Sequence, residues 1–384
     1  MLNEKMVGLG SRRSVIREIF EYGKKRKAEI GEENVFDFSL GNPSVPTPAA
    51  VTAALERIIK ETDPVRLHGY TSAQGDMAVR AKIAESIEKR FGFPANKDLI
   101  YMTCGAAASL TVTLNALINS GDEVIIPAPF FPEYRVFAEN AGAHVVTVMC
   151  REPDFQLDIK ATENAVTEKT KAIIINSPNN PTGAVFSPDT IKALSDMLCK
   201  KQAEYGTDIY IIADEPYREL SYGAEVPYIP KYYANTVVCY SYSKSLSLPG
   251  ERIGYIFIPE SAKDSKKLYA AVCGAGRALG FVCAPSLMQY TVAECTDVLP
   301  DISAYKKNRD ILVDGLKRIG YTCVKPQGAF YLFMKALEED AYAFCERAKK
   351  FDLLLVPSDD FGCPGYVRIS YCVPTEQIQR ALPK

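Results

Sequence analysis

Four short segments of the sequence hold side chains of the kind that do chemistry. In the run from Cys239 to Gly254 a strand pattern ends in the hydroxyls of Ser241 and Ser243. Lys244 follows, and a second cation, Arg252, comes eight residues later. In Ile212-Ala213-Asp214-Glu215-Pro216-Tyr217 a carboxylate stands at the C-terminal end of an apolar run, the edge at which open α/β sheets bind ligands. Asn176-Ser177-Pro178-Asn179-Asn180-Pro181-Thr182-Gly183 follows another apolar run and ends at the same edge. Thr103-Cys104-Gly105-Ala106-Ala107-Ala108-Ser109-Leu110 reads as strand, glycine turn and helix start, where free backbone N–H groups make an anion site. Each segment also has a plainer reading: a solvated loop, a helix-capping acid, an Asn/Pro/Gly turn, or a tight turn of small residues.

Composition narrows the chemistry. Only two histidines, His68 and His144, occur in 384 residues, so Ser/His/Asp triads and His-rich metal sites are nearly excluded and no metal is expected. Lys and Arg total 45 against 47 Asp and Glu. That balance lacks the basic surplus of a duplex-binding protein, so no nucleic-acid partner is expected. The 11 cysteines are odd in number and never at CxxC spacing, and they sit in apolar stretches such as Phe281-Val282-Cys283. They read as buried, reduced thiols of a cytoplasmic protein. No run approaches the roughly 18 apolar residues that span a bilayer, and Met1 to Ser14 lacks the apolar centre of a secretion signal, so no membrane partner is expected.

The elements that must position these residues are legible as alternating strand and helix patterns. Strands are expected at Leu99–Thr103, Glu123–Ile126, His144–Met149, Ala172–Asn176, Ile209–Ala213, Thr236–Ser241 and Gly254–Ile258. Runs such as Ala172-Ile173-Ile174-Ile175 are apolar throughout, as strands covered on both faces are. The fold class read from this is α/β: a large domain with a mainly parallel, doubly wound, seven-stranded sheet, plus a smaller α+β domain. The latter is expected to combine a helix at Ser303–Ile319, a broken strand-like run at Tyr321–Met334, a helix at Ala341–Lys350 and short strands at Leu353–Val356 and Tyr366–Cys372. The division runs 1–45 for an N-terminal arm contributing to the small domain, 46–283 for the large domain and 284–384 for the C-terminal small domain. The arm itself reads as a helix, Val15 to Glu29, and a strand, Phe36 to Leu40.

Taken together and in this order, the segments resemble the pyridoxal-phosphate-dependent aminotransferases of classes I and II, the aspartate aminotransferase superfamily of fold type I. The resemblance runs from Gly41-Asn42-Pro43 to Arg368-Ile369-Ser370 and includes Tyr70 before Gly75, Asn-Asn-Pro-Thr-Gly, Asp-Glu-Pro-Tyr, Ser-x-x-Lys with Arg252, and Pro326-Gln327-Gly328-Ala329-Phe330. It implies that Lys244 carries pyridoxal 5'-phosphate as a Schiff base and moves the substrate proton, and that Asp214 pairs with the ring nitrogen. Tyr217 and Asn180 would hold the ring's phenolic oxygen. Ala106 and Ala107 amides, Ser241, Ser243 and Arg252 would bind the phosphate, and Phe131, with Phe130 as competitor, would stack on the ring. Arg368, backed by Gly41, would bind the substrate α-carboxylate. Tyr70 would reach the phosphate of a neighbouring subunit, making a homodimer with shared active sites. Arg277 would bind a distal carboxylate, with a surface role as the alternative. The activity implied is ping-pong transfer of an amino group from an L-amino acid to a 2-oxo acid, with glutamate and 2-oxoglutarate as one pair. A C–S β-lyase on the same fold is the alternative.

Overall fold

A computed structural model describes residues 2–11 and 14–384. Its centre is a seven-stranded sheet in the spatial order Ile100–Thr103, Gly254–Phe257, Thr236–Ser241, Tyr210–Asp214, Thr170–Asn176, Glu123–Ala128, His144–Met149. The last five strands in that order run parallel to one another, and Gly254–Phe257 is antiparallel to both its neighbours. The reason is local. The connection from Ser241 to Gly254 carries only the single-turn helix Tyr242–Ser245, and lacks the covering helix by which parallel returns usually cross a sheet.

The continuous apolarity of the strands follows from having two covers. Ile173, Ile175, Ile211 and Ala213 enter one core, beneath the helices Ala49–Glu61, Met77–Phe91 and Pro188–Tyr205. Their chain neighbours Ala172, Ile174 and Ile212 enter the other, beneath Ala106–Leu117 and Ser265–Leu279. Alternate residues therefore face different hydrophobic layers. Helix ends are set by chemistry legible in the sequence. Asp76 caps the amides of Ala78 and Val79, Ser187 caps Thr190, and Gly92 and Gly206 close their helices in the left-handed conformation.

The C-terminal unit is built on a three-stranded antiparallel sheet, Val356–Pro357, Tyr366–Ser370, Tyr331–Lys335. The N-terminal helix Val15–Ile30 and the strand Phe36–Asp37 dock here, the strand pairing in parallel with Leu353–Leu354. Three expected extents change most. Phe36–Leu40 shortens to two residues. Tyr321–Met334 keeps only isolated bridges at Cys323 and Gly328 before the strand Tyr331–Lys335. Leu353–Val356 splits in two, because Leu353–Leu354 pairs with the N-terminal strand while Val356–Pro357 pairs with the strand of Arg368. The helix Ser286–Glu294 lies beyond the expected change at residue 284, yet its Met288 and Val292 are buried with Val51 and Val79 under the large sheet. Among the described residues, no helix is long and apolar enough to cross a membrane.

Candidate active site

Register brings the chemistry together. Asn176, Asp214 and Cys239 are level across three parallel strands, so residues at the strand ends share one edge. A cavity of about 260 Å³ opens there. Lys244, Asp214, Tyr217, Asn180, Ser241, Ser243, Arg252, Ala106, Ala107, Phe131, Gly41 and Arg368 all line it. Tyr134, Tyr331, Leu40 and Ile16 also line it.

Asp214 is 4% exposed, and its two oxygens differ. Oδ2 accepts from the Tyr134 hydroxyl and from Asn176 Nδ2 at 3.4 Å, whereas Oδ1 has no partner among the described residues. Burial raises the carboxyl from its ordinary value to about 7, with Tyr134 pulling it down and Glu215 pushing it up. Tyr217 bonds the Tyr331 hydroxyl at 3.0 Å. Burial, then the neighbouring Tyr331, holds its phenol well above the usual value.

Lys244 Nζ donates to the Gly41 carbonyl at 2.7 Å and lies 5.5 Å from the Phe330 ring centre. Burial, opposed by Cys372 and assisted by Arg252 and Arg368, lowers its amine to about 8. Gly41 thus offers its carbonyl to the lysine, and a side chain there would collide with the Tyr331 hydroxyl. Arg368, 2% exposed, donates to Asn180 Oδ1 at 3.2 Å and to the Ser39 carbonyl, and stands 4.7 Å from the Tyr331 ring centre. Its Nε has no partner among the described residues. Asn180 is itself fixed by its amide bond to Asn176 Oδ1, 2.8 Å.

At the other end, Gly105 (φ 86°) caps the helix Ala106–Leu117 and turns that helix's first amides to the cavity. A Cβ at Gly105 would lie 2.9 Å from Arg252 Nη2. Arg252, itself at φ 54°, donates to Ser243 Oγ at 3.3 Å, and Ser241 and Ser243 hydroxyls are 2.9 Å apart.

Of the two phenylalanines, Phe131 lines the cavity. Phe130 is buried beneath Gly362, where its ring packs in the core. Tyr70, 97% exposed, and Arg277, exposed on the helix Ser265–Leu279, do not line the cavity of their own chain. Tyr134 and Tyr331 are the hydroxyl-bearing cavity residues that motif reading missed. The signal for Tyr134 was its place three residues after Phe131, at the start of the helix Glu133–Asn140, which sets both on one side. Tyr331 follows Phe330 at a strand start, where alternation turns successive side chains to opposite faces.

The sequence matches the model of the family "Aminotransferase class I and II" over residues 33–384. The aspartate aminotransferase of Thermotoga maritima is 31% identical over 378 residues, covering 96% of this chain and 95% of that one. Among solved structures, an amino transferase from Eubacterium rectale superposes with a TM-score of 0.97 at 57% identity, covering 100% and 97% of the two chains. The aspartate aminotransferase of Thermus thermophilus, solved with maleate, superposes with a TM-score of 0.88 at 25% identity, covering 100% and 98%.

Proposed function

The chain belongs to the class I and II aminotransferases and is an enzyme that transfers amino groups; from that premise we propose which residues do so, and on what. The family uses pyridoxal phosphate. The observation that carries our reading is the meeting of Lys244, Asp214 and Arg368 on one cavity, with Asp214 Oδ1 and Arg368 Nε both buried and unpartnered among the described residues. A buried unpaired polar atom costs free energy unless a ligand completes it.

The residues fit the cofactor. Oδ1 suits a protonated ring nitrogen, and Phe131 offers a ring face. The amides of Ala106 and Ala107, the hydroxyls of Ser241 and Ser243 and the Arg252 guanidinium form a donor set for a phosphate dianion. Bound there, pyridoxal phosphate supplies a ring that takes up the electron pair left when the substrate Cα–H bond breaks. Asp214 Oδ1 holds the proton on the ring nitrogen. A cation against that oxygen draws the carboxyl, otherwise about 7, back to its ionised form. Tyr217 and Asn180 bond the phenolic oxygen. Arg368 grips the α-carboxylate through a guanidinium edge already oriented by Asn180 and Ser39, which fixes the Cα–H toward Lys244. Lys244 Nζ, with an amine near 8, takes the Cα proton as a free base and returns it at the far side of the transfer.

The substrates are small amino and 2-oxo acids. With the relatives named aspartate aminotransferase and walls of Ile16, Leu40 and Phe131, the reading is an aspartate-aminotransferase-like enzyme of broad specificity, glutamate and 2-oxoglutarate forming one pair. We read Tyr70 and Arg277 as gifts to the site of a second copy, the working unit being a homodimer. The test is a panel of amino acids against 2-oxoglutarate and pyruvate, following both half-reactions. Glutamate, aspartate and phenylalanine should each donate. Turnover confined to one donor, or pyruvate and ammonia formed without an acceptor, would overturn the reading.

A further inference from the structure

We propose that Tyr134 is the positioning residue for Asp214: it fixes which carboxylate oxygen faces the cavity and keeps that carboxylate in its charge-bearing form. The inference rests on reading the cavity as the pyridoxal phosphate site.

Tyr134 is 2% exposed, and its hydroxyl donates to Asp214 Oδ2. Asn176 Nδ2 reaches the same oxygen at 3.4 Å but lies closer, 2.9 Å, to the Asp214 backbone carbonyl, so Tyr134 is the stronger anchor. With Oδ2 taken, Oδ1 alone is turned outward and unpartnered among the described residues. The titratable groups facing this carboxyl are Tyr134, Glu215, Tyr217 and Cys239. Burial, and then Asp214 itself, push the Tyr134 phenol well above its usual value. It therefore stays protonated and can only donate to Oδ2.

A donor on Oδ2 favours the ionised carboxylate, against burial and Glu215, which favour the neutral acid. Without that donor, Asp214 becomes the more basic partner and competes for the proton that the ring nitrogen must keep. The Tyr134 ring also meets Phe131 edge-on, with centroids 5.7 Å apart at 85°. One residue thus touches both the carboxylate that meets the ring edge and the aromatic that meets its face.

Tyr134→Phe keeps the ring contact and removes only the donor. In cofactor-free protein labelled with [4-¹³C]aspartate, with Asp214→Asn identifying the signal, the Asp214 titration midpoint should rise by about one pH unit. The holoenzyme should release pyridoxal phosphate faster below that midpoint. Its kcat should fall about tenfold with KM nearly unchanged. Should the phenylalanine variant fail to fold, 3,5-difluorotyrosine at position 134 keeps the shape, makes the hydroxyl a stronger donor and should move the midpoint downward. Wild-type protein that takes up no pyridoxal phosphate overturns the reading of the cavity. Wild type that takes it up, while the variants leave both midpoint and release rate in place, overturns the role of Tyr134 alone.

Discussion

The two ends of the cavity differ in what they are made of. At the end proposed for the ring, Asp214, Tyr217 and Arg368 are long or charged side chains stripped of water, and two of them keep a buried polar atom without a partner among the described residues. At the end proposed for the phosphate, Ala106 and Ala107 stand at a helix start, and the short hydroxyls of Ser241 and Ser243 bond each other, with Arg252 on Ser243. The ring end stores desolvation, which pushes a carboxyl up to about 7 and an amine down to about 8. The phosphate end stores backbone conformation, with Gly105 and Arg252 both at positive φ. Changes at the first should therefore strike the chemical step, and changes at the second the holding of the cofactor.

The largest effect is expected at Lys244. Lys244→Ala should lower kcat by at least about 10⁴-fold while leaving the fold intact. Mixing it with Tyr70→Phe extends the comparison across subunits. If Tyr70 serves the neighbouring phosphate end, heterodimers regain one undamaged site and part of the activity. Isolated heterodimers that stay inactive would remove Tyr70 from the shared site.

Asp214→Asn comes next, with kcat falling about 10²- to 10³-fold, the size of a lost buried charge partner. Stability should move the other way. The folded carboxyl titrates near 7 against an ordinary 3.8. Between those values the folded chain holds a proton that the unfolded chain has lost, so stability falls as pH rises, and above pH 7 the full penalty of about 4 kcal/mol is in place. Cofactor-free Asp214→Asn should then resist urea better than wild type at pH 8, with the gap closing toward pH 4. Equal curves at pH 8 would show that Asp214 bears no such penalty.

Gly105→Ala tests the phosphate end. A Cβ must adopt positive φ and crowd the Arg252 guanidinium. Pyridoxal phosphate affinity should drop about 10- to 100-fold, with kcat at saturating cofactor within about threefold. A kcat loss undiminished by added cofactor would erase the distinction between the two ends. The smallest effect is expected for Arg277→Ala: about a tenfold loss of kcat/KM with glutamate and aspartate and little with phenylalanine. An equal loss with all three rejects a distal-carboxylate role.

Six of the seven strands of the large sheet were legible because both faces are covered, the edge strand His144–Met149 being largely open to solvent. A strand with no polar side leaves an uninterrupted apolar run, and turn residues mark its ends. The C-terminal unit was legible only in outline. Its strands are two to five residues long, and the sequence from Leu353 to Pro357 serves two sheets, a choice made by partners more than 300 residues away in one case and about ten in the other. The helix Ser286–Glu294 carried no mark of which core its apolar face would join.

The motifs of the site belong to the sequence itself: a lysine after hydroxyls, an acid at a strand end, a glycine before a helix, an arginine on a late strand. These are fixed by local chemistry, since a positive φ demands glycine at 105 and a doubly covered strand can present polar groups only at its end. The tertiary structure decided how they were completed. Only the packing of the helix Glu133–Asn140 against the sheet brings the Tyr134 hydroxyl to Asp214, 80 positions away. Only the docking of the N-terminal segment lays the Gly41 carbonyl on Lys244 and the Ser39 carbonyl on Arg368. Hydrogen bonds between distant segments depend on distance and direction in space, and the order of residues along the chain specifies neither until the cores on both sides of the sheet have closed.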